Sequence, residues 1–358
     1  MKEPKTILFY NTNRSWGGGE KWHFEMAEEL FRRGYLVHVF AHPSGRLLER
    51  CISADIPVTG IATGRFSFLN PIHILLVKQK MLRLSVKTVI LNLPADMKAG
   101  GMAAHKAGVG SILYRRGTAL PVTPHRINRY FFSRILTGVI ANSEATKALI
   151  NQKRTLIAPE KIHVVYNGIK DIPTPEAKAG SGKLIIGNAG RMVYQKGQEF
   201  LLTLAGLLQT EINDFEIHIA GDGPLKGRLQ SEIEKQGLSE KVKLKDFQTS
   251  LNAFYREIDI FVLPSRWEGF GYVMVEAMLH QKPVIAFDIS SNPEIISNNK
   301  TGYLIPWGQL EKFKEKILYL WHHPQKRLEM GKCAYREASS RFTLQRSADQ
   351  LQTIINSS

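Results

Sequence analysis

The stretch Pro264-Ser265-Arg266-Trp267-Glu268-Gly269-Phe270-Gly271-Tyr272-Val273-Met274-Val275-Glu276-Ala277-Met278 decides how this chain reads. It follows Asp259-Ile260-Phe261-Val262-Leu263, an apolar run of strand length. A turn flanked by Gly269 and Gly271 then leads into an apolar helical run. The first N–H groups of a helix lack intrahelical partners and carry the positive end of its dipole. A helix that opens at such a turn suits an anion, and phosphate is the natural guest. Glu268 and Glu276 stand eight positions apart, one in the turn and one about two turns into the helix. Carboxylates beside a phosphate site suit hydroxyl groups, as on a ribose and on a sugar. The combination points to a nucleotide-sugar site. Glutamates on an ordinary solvated helix face are the plainer alternative, and the glycine turn between them argues against it.

Two cations sit in a matching place. The strand Leu184-Ile185-Ile186-Gly187-Asn188 is followed by Gly190, Arg191 and Lys196. Ligands of open α/β sheets bind at such carboxyl ends. A diphosphate leaving group gathers negative charge, and fixed cations there favour the transition state. Near the start, Gly17-Gly18-Gly19-Glu20 follows the strand Thr6–Asn11. Three consecutive glycines do not make the dinucleotide fingerprint. The second strand ends at Ala41-His42, with no acid to hold an adenosine ribose. A hydride-transfer cofactor is therefore a weak reading, and a loop near donor phosphates and acceptor fits better.

The run from Ser265 through Glu268, Gly269, Phe270 and Gly271 to Glu276-Ala277-Met278 resembles the signature of family 4 retaining glycosyltransferases. Other pieces fall in that family's order: Trp16 to Glu20, then Asn142-Ser143-Glu144 with Lys147, Asn167-Gly168, Gly190-Arg191 with Lys196-Gly197, and Gly221-Asp222-Gly223-Pro224. The resemblance implies an α/β chain of the GT-B fold, with two Rossmann-like, doubly wound domains facing each other across a cleft. It implies that Glu276 holds ribose hydroxyls and Glu268 hydroxyls of the transferred sugar. Backbone amides of Phe270, Gly271, Tyr272 and Val273 would face the sugar and diphosphate. Arg191 and Lys196 would complete the catalytic set with Glu268, and Gly18, Gly19 and Gly190 would line the donor phosphates. Base contacts are expected near Asn188 and Phe247–Gln248. The reaction would retain anomeric configuration, with the donor phosphate itself taking the proton of the incoming hydroxyl.

One family feature is missing. Many members carry a histidine just after the fourth strand. Here Ser111-Ile112-Leu113-Tyr114 is followed by Arg115, Arg116 and Gly117. His105 lies in an earlier helix-like stretch and does not take over the role. Arg115 and Arg116 are acceptor-side candidates for an acidic group, or else meet a donor phosphate. Asp96 and Lys98 are further acceptor-side candidates.

At 358 residues the chain is long for one core. Residues 1–170 are expected to form an acceptor-binding domain, joined by a C-terminal helix at 343–358. Residues 171–342 are expected to form the nucleotide-sugar domain, entered through the Pro/Gly-rich linker Asp171–Lys183. Residues 1–170 hold 25 Lys+Arg and 10 Asp+Glu, a net of +15, whereas residues 171–358 hold 23 and 22, a net of +1. Charge so segregated argues for an anionic partner on the first half. An anionic glycolipid or saccharide acceptor and a membrane surface fit; no nucleic-acid module is recognised. Met97 to Ser143 contains no acid, and its His125–Leu136 part mixes arginines with aromatics, as suits a membrane interface. An ordinary helix with a buried apolar face stays open as the alternative. Arg126, Arg129 and Arg134 with Tyr130, Phe131 and Phe132 are the docking candidates.

No run reaches the length of a membrane-spanning helix, and the start Met1–Lys5 does not resemble a secretory signal. With only Cys51 and Cys333, a reduced, cytoplasmic protein is expected, peripheral on the inner face of the cytoplasmic membrane. No His, Cys or Asp set has metal-ligand spacing. Neither metal nor cofactor is expected, the donor being a substrate. The expected function is transfer of a sugar from a nucleotide sugar to an envelope glycan or glycolipid, lipopolysaccharide among them. A nucleotide-sugar epimerase of the same fold and a non-catalytic glycolipid-binding relative are the alternatives.

Overall fold

The computed structural model describes residues 6–170, 182–248 and 250–357. The expected linker falls mostly outside them. The chain divides into two compact units, Met1–Lys170 with Leu344–Ser358, and Asp171–Thr343.

The first unit is built on seven strands: β1 Thr6–Asn11, β2 Val37–Ala41, β3 Val58–Gly60, β4 Val86–Leu91, β5 Ser111–Arg116, β6 Gly138–Ala141 and β7 Ile162–Val164. They lie in the order β3-β2-β1-β4-β5-β6-β7, and their pairings are parallel. Both faces of a parallel sheet are covered by helices, so its strands read as unbroken apolar runs. β1 shows this directly, with all six residues buried. On one face Trp22, Met26 and Leu30 of helix Gly18–Arg32 pack with Leu344, Ala348 and Leu351 of the last helix, Leu344–Asn356. Arg33 Nη1, at the end of the first of these helices, fastens the last helix through Asp349 Oδ1 at 2.6 Å. On the other face, helix Pro71–Arg83 and helix Pro94–Lys106 cover Leu8, Tyr10 and Leu91.

The second unit has six strands: β8 Leu184–Ala189, β9 Phe215–Ala220, β10 Val242–Lys245, β11 Ile260–Leu263, β12 Val284–Phe287 and β13 Gly302–Ile305. Their order is β10-β9-β8-β11-β12-β13, again with parallel pairings. In each sheet the winding reverses once, between β1 and β4 in the first and between β8 and β11 in the second. Those reversals open the crevices in which α/β sheets bind ligands. β3 and β13 were not expected. Each is a short edge strand of three or four residues, too brief to show a period.

Candidate active site

In the second unit, two loops meet where β8 and β11 end. Their backbones are stitched together. Arg266 N donates to Gln195 O at 2.8 Å, and Gln195 Nε2 donates to Trp267 O at 2.9 Å. Arg266 Nη1 reaches Tyr194 O at 2.8 Å. Gly197 has φ +63°, and a Cβ there would stand 2.2 Å from Pro264 O. Only glycine lets the loops approach this closely.

The stitching sets Lys196 against Glu268, with Nζ 2.6 Å from Oε1. Ser265 Oγ donates to the same oxygen at 2.6 Å. Glu268 is 3% exposed, and a carboxylate so buried needs a partner. Oε1 takes both bonds. Oε2 accepts none among the described residues, which leaves it for a ligand hydroxyl. Arg191 lies exposed on the same loop, and its guanidinium has no ion pair among the described residues. The site therefore presents one unengaged cation, one cation held by a carboxylate, and one spare carboxylate oxygen.

Gly271 caps helix Tyr272–Leu279 with φ +84°. A Cβ there would press to 2.5 Å from Met274 Cε. The left-handed residue turns the chain sharply from the Glu268 loop into the helix. The Phe270 side chain points inward, its ring centroid 5.5 Å from that of Phe342 and 5.8 Å from that of Tyr272. Its ring anchors the turn.

Half-buried Glu276 accepts a hydrogen bond from Tyr255 Oη at 3.1 Å. Burial, then the charge of Glu276, pushes the Tyr255 hydroxyl well above its ordinary pKa, so it stays a donor. Tyr255 also stacks on His280 with centroids 4.9 Å apart. Sequence reading missed Tyr255, because nothing in its own helix, Asn252–Glu257, signals a partner 21 positions away. Asn188 is buried, and its Nδ2 donates to Val262 O at 2.8 Å, which ties β8 to β11. Phe247 lies exposed.

The acceptor-side candidates separate. Asp96 is fully buried and accepts from Thr12 Oγ1 at 2.5 Å, with Thr12 N and Leu93 N each at 3.2 Å. Burial raises its pKa to about 7. It fastens the loop after β1 to helix Pro94–Lys106, so the expectation of an acceptor-side ligand is corrected. Arg115 is likewise enclosed, because β5 runs two residues further than expected. Its Nη2 donates to Asn167 Oδ1 at 3.1 Å and its Nη1 to Asn92 Oδ1 at 3.4 Å, while its Cζ stands 5.0 Å from the Trp22 ring centroid. Arg116, half-buried on the same strand, donates to Leu120 O. Lys98 lies elsewhere, its Nζ 5.5 Å from the Phe68 ring centroid.

Gly18 and Gly19 open the first helix of this unit. A Cβ on Gly19 would lie 2.9 Å from Asn92 Nδ2, so the glycine loop closes over Asn92 and Arg115. Glu20 is buried there and accepts from Asn13 Nδ2 at 3.0 Å and Asn11 Nδ2 at 3.3 Å. Next to it His23 is fully buried, with Nδ1 3.1 Å from Gly19 O. Burial, then the charge of Arg115, lowers its pKa to about 3, so it is neutral.

The docking candidates are corrected in part. Phe131 and Phe132 are core residues, meeting Phe68 at 6.4 Å and Tyr114 at 6.0 Å between ring centroids. Only Tyr130 of the three aromatics is exposed. No helix among the described residues is long and apolar enough to cross a membrane.

Comparison with known proteins gives two family matches. The Glycosyltransferase Family 4 profile covers residues 16–171, and the Glycosyl transferases group 1 profile covers residues 171–337. The chain is 30% identical over 224 residues to the poly(ribitol-phosphate) alpha-N-acetylglucosaminyltransferase of Staphylococcus aureus, covering 62% of this chain and 44% of that one. It thus spans less than half the length of that relative. It is 30% identical over 248 residues to an uncharacterized glycosyltransferase of Methanocaldococcus jannaschii, covering 68% of this chain and 67% of that one. A crystal structure of Anabaena HepE in complex with UDP and glucose aligns with TM-score 0.84 and 22% identity, over 99% of this chain and 100% of that one. That likeness is one of fold, and the fold is GT-B.

Proposed function

We infer, from a chain that belongs to glycosyltransferase family 4, that it transfers a sugar from a nucleotide diphosphate to a hydroxyl of an anionic envelope glycan or glycolipid. The observation that carries this is the Lys196–Glu268 pair beside the Gly271 helix start, with Arg191 unengaged on the same loop. The arrangement has both halves of donor recognition. Cations and a helix N-terminus suit the diphosphate. Glu268 Oε2 suits a sugar hydroxyl, and Glu276, held by Tyr255, suits the ribose.

The reaction then needs no protein nucleophile. The acceptor hydroxyl oxygen bonds to the anomeric carbon as the bond from that carbon to the phosphate oxygen breaks. The electron pair leaves with the nucleoside diphosphate, and a phosphate oxygen takes the hydroxyl proton. Lys196 and Arg191 stabilise the charge that gathers on the leaving group. On this reading Glu268 is held through Oε1 by Lys196 and Ser265, and its Oε2 meets a sugar hydroxyl instead of attacking the anomeric carbon. On this reading configuration is retained and no metal is required. The donor is placed on residues 171–342 and the acceptor on residues 1–170. The relative from Staphylococcus aureus acts on a poly(ribitol-phosphate), and an acceptor rich in phosphate suits the +15 carried by residues 1–170. The HepE structure holds UDP, so uridine nucleotides come first among donors. An anionic membrane surface, on the cytoplasmic side, is the proposed place of work.

Thermal-shift screening with UDP, GDP and ADP tests the donor reading, since a ligand that binds the native state raises its midpoint. A nucleotide that stabilises the wild type but not Glu276→Gln is the expected result. No shift with any of them would overturn it.

A further inference from the structure

The loop and helix from Arg65 to Arg83 hold a feature that sugar transfer does not use. Helix Pro71–Arg83 buries Ile74, Val77 and Met81 against the sheet. Its outward side would ordinarily be polar. Instead Ile72, Leu75, Leu76 and Leu82, with Phe66 and Leu69 just before the helix, are each 51–67% exposed. Single exposed apolar residues are normal, but a contiguous run of large ones marks an interaction surface.

Its charge names the partner. Between Asp55 and Glu144 the chain carries twelve Lys+Arg and a single acid, Asp96, which is fully buried. No carboxylate from this segment competes for the cations. Lys80 and Arg83 are exposed on the same helix. At Phe66, ahead of the helix, lies a hollow of about 460 Å³, lined also by Arg65, Phe68, Lys98, His125 and Arg126 among others. Arg65, Lys98 and Arg126 have no ion pair among the described residues. His125 Nδ1 accepts from Asn128 N at 3.2 Å, so its Nε2 carries the proton and can donate. The hollow therefore offers hydrogen-bond donors above two aromatic rings, with no acid in its lining.

We propose that this face, from Phe66 to Arg83, lies on an anionic lipid bilayer, with the hollow of Arg65, Lys98, His125 and Arg126 taking a lipid headgroup phosphate. Apolar side chains enter the headgroup boundary and the flanking cations meet its charge, as in interfacial helices. The proposal deepens the membrane part of the function above and rests on it. It moves the contact from the buried Phe131 and Phe132 to the exposed leucines.

Co-sedimentation of the full chain with phosphatidylglycerol-containing and with pure phosphatidylcholine vesicles tests it. The wild type is expected to prefer the anionic vesicles. Arg65→Gln/Arg126→Gln should weaken binding at low salt by about fivefold per charge removed. Leu75→Ser/Leu76→Ser should abolish the part of binding that survives high salt. These side chains are exposed, and unchanged thermal melts will confirm folding; Ile72→Gln serves in place of the serine pair should that fail. Wild-type binding with no preference between vesicles overturns both this proposal and the membrane reading. A preference that neither variant changes overturns this face alone. Release by inorganic phosphate beyond that by sodium chloride at equal ionic strength would assign the hollow to free phosphate and overturn it too. Capture of a protein partner by this face without vesicle binding would do the same.

Discussion

Lys196 Nζ meets Glu268 Oε1 at 2.6 Å across 72 positions of sequence. In the sequence the two stand on separate loops, one suited to a phosphate and one to a sugar hydroxyl. Their pairing means that each holds the other ready. On the proposed reading, a diphosphate that engages Lys196 would leave Ser265 still donating to Glu268, so the carboxylate would not be left bare.

Lys196→Ala is expected to lower turnover by roughly 10²-fold, the loss that follows removal of one preorganised donor. It should also cost about 2 kcal/mol of stability, because Glu268 loses its counter-charge while buried. Lys196→Arg should recover most of the stability and less of the turnover. Steady-state transfer and urea unfolding measure the two losses separately. Near-native turnover in Lys196→Ala would remove this residue from the chemistry.

Tyr255→Phe tests whether Glu276 is positioned or merely present. The substitution deletes one hydroxyl, which bonds Glu276 Oε2 and also lies 3.2 Å from Val273 O. A lost hydrogen bond to a charged group is worth about 1.5–3 kcal/mol, so donor KM should rise about tenfold or more. The chemical step should change little, since Tyr255 acts through Glu276. A fall in kcat at unchanged KM would contradict the ribose role of Glu276.

Much of this site was legible because its parts are local in sequence. Glu268, Gly271 and Glu276 lie on one turn and its helix, and a turn with glycines at those spacings has few geometries. Lys196 and Arg191 were legible because a loop after a parallel strand must open at the sheet's carboxyl edge. What could not be read depends on distant partners. Asp96 and Arg115 looked like ligands because they are charged and sit after strands. Whether such a group faces solvent depends on Thr12, Asn92 and Asn167, which arrive from other loops. Phe131 and Phe132 likewise belong to an alternation of arginines and aromatics that fits a membrane or a core equally well. The π-helical turn Phe131–Ile135 turns them inward. The short edge strands β3 and β13 were lost for want of length.

Transfer activity should survive excess EDTA, because the proposed site balances the diphosphate with Lys196, Arg191 and a helix N-terminus. Among the described residues no three His, Cys, Asp or Glu side chains gather as a tightly held ion would need. Purified protein assayed with EDTA, then with added magnesium or manganese, gives the answer. Activity that EDTA removes and either metal restores would show that the donor brings a required ion.

Two buried groups of the first unit should give opposite pH signatures in stability. His23 titrates at about 3 in the folded state, against 6.5 ordinarily. Below 6.5 the unfolded chain takes up a proton that the folded chain refuses. The stability His23 contributes is thus present above that pH and is lost as pH falls toward 3. Asp96 is displaced the other way, to about 7 from 3.8. Its contribution is present below 3.8 and is lost as pH rises through 7. Urea midpoints of His23→Gln and Asp96→Asn, each measured against wild type across this range, separate the two. The wild-type advantage over His23→Gln should shrink on acidification, by up to about 1.4 kcal/mol per pH unit inside the window. The advantage over Asp96→Asn should shrink as pH rises from 4 toward 7, since the asparagine keeps an acceptor for Thr12 without a charge to bury. Differences that stay constant with pH would mean that neither group is as enclosed as Gly19, Thr12 and Arg115 make it.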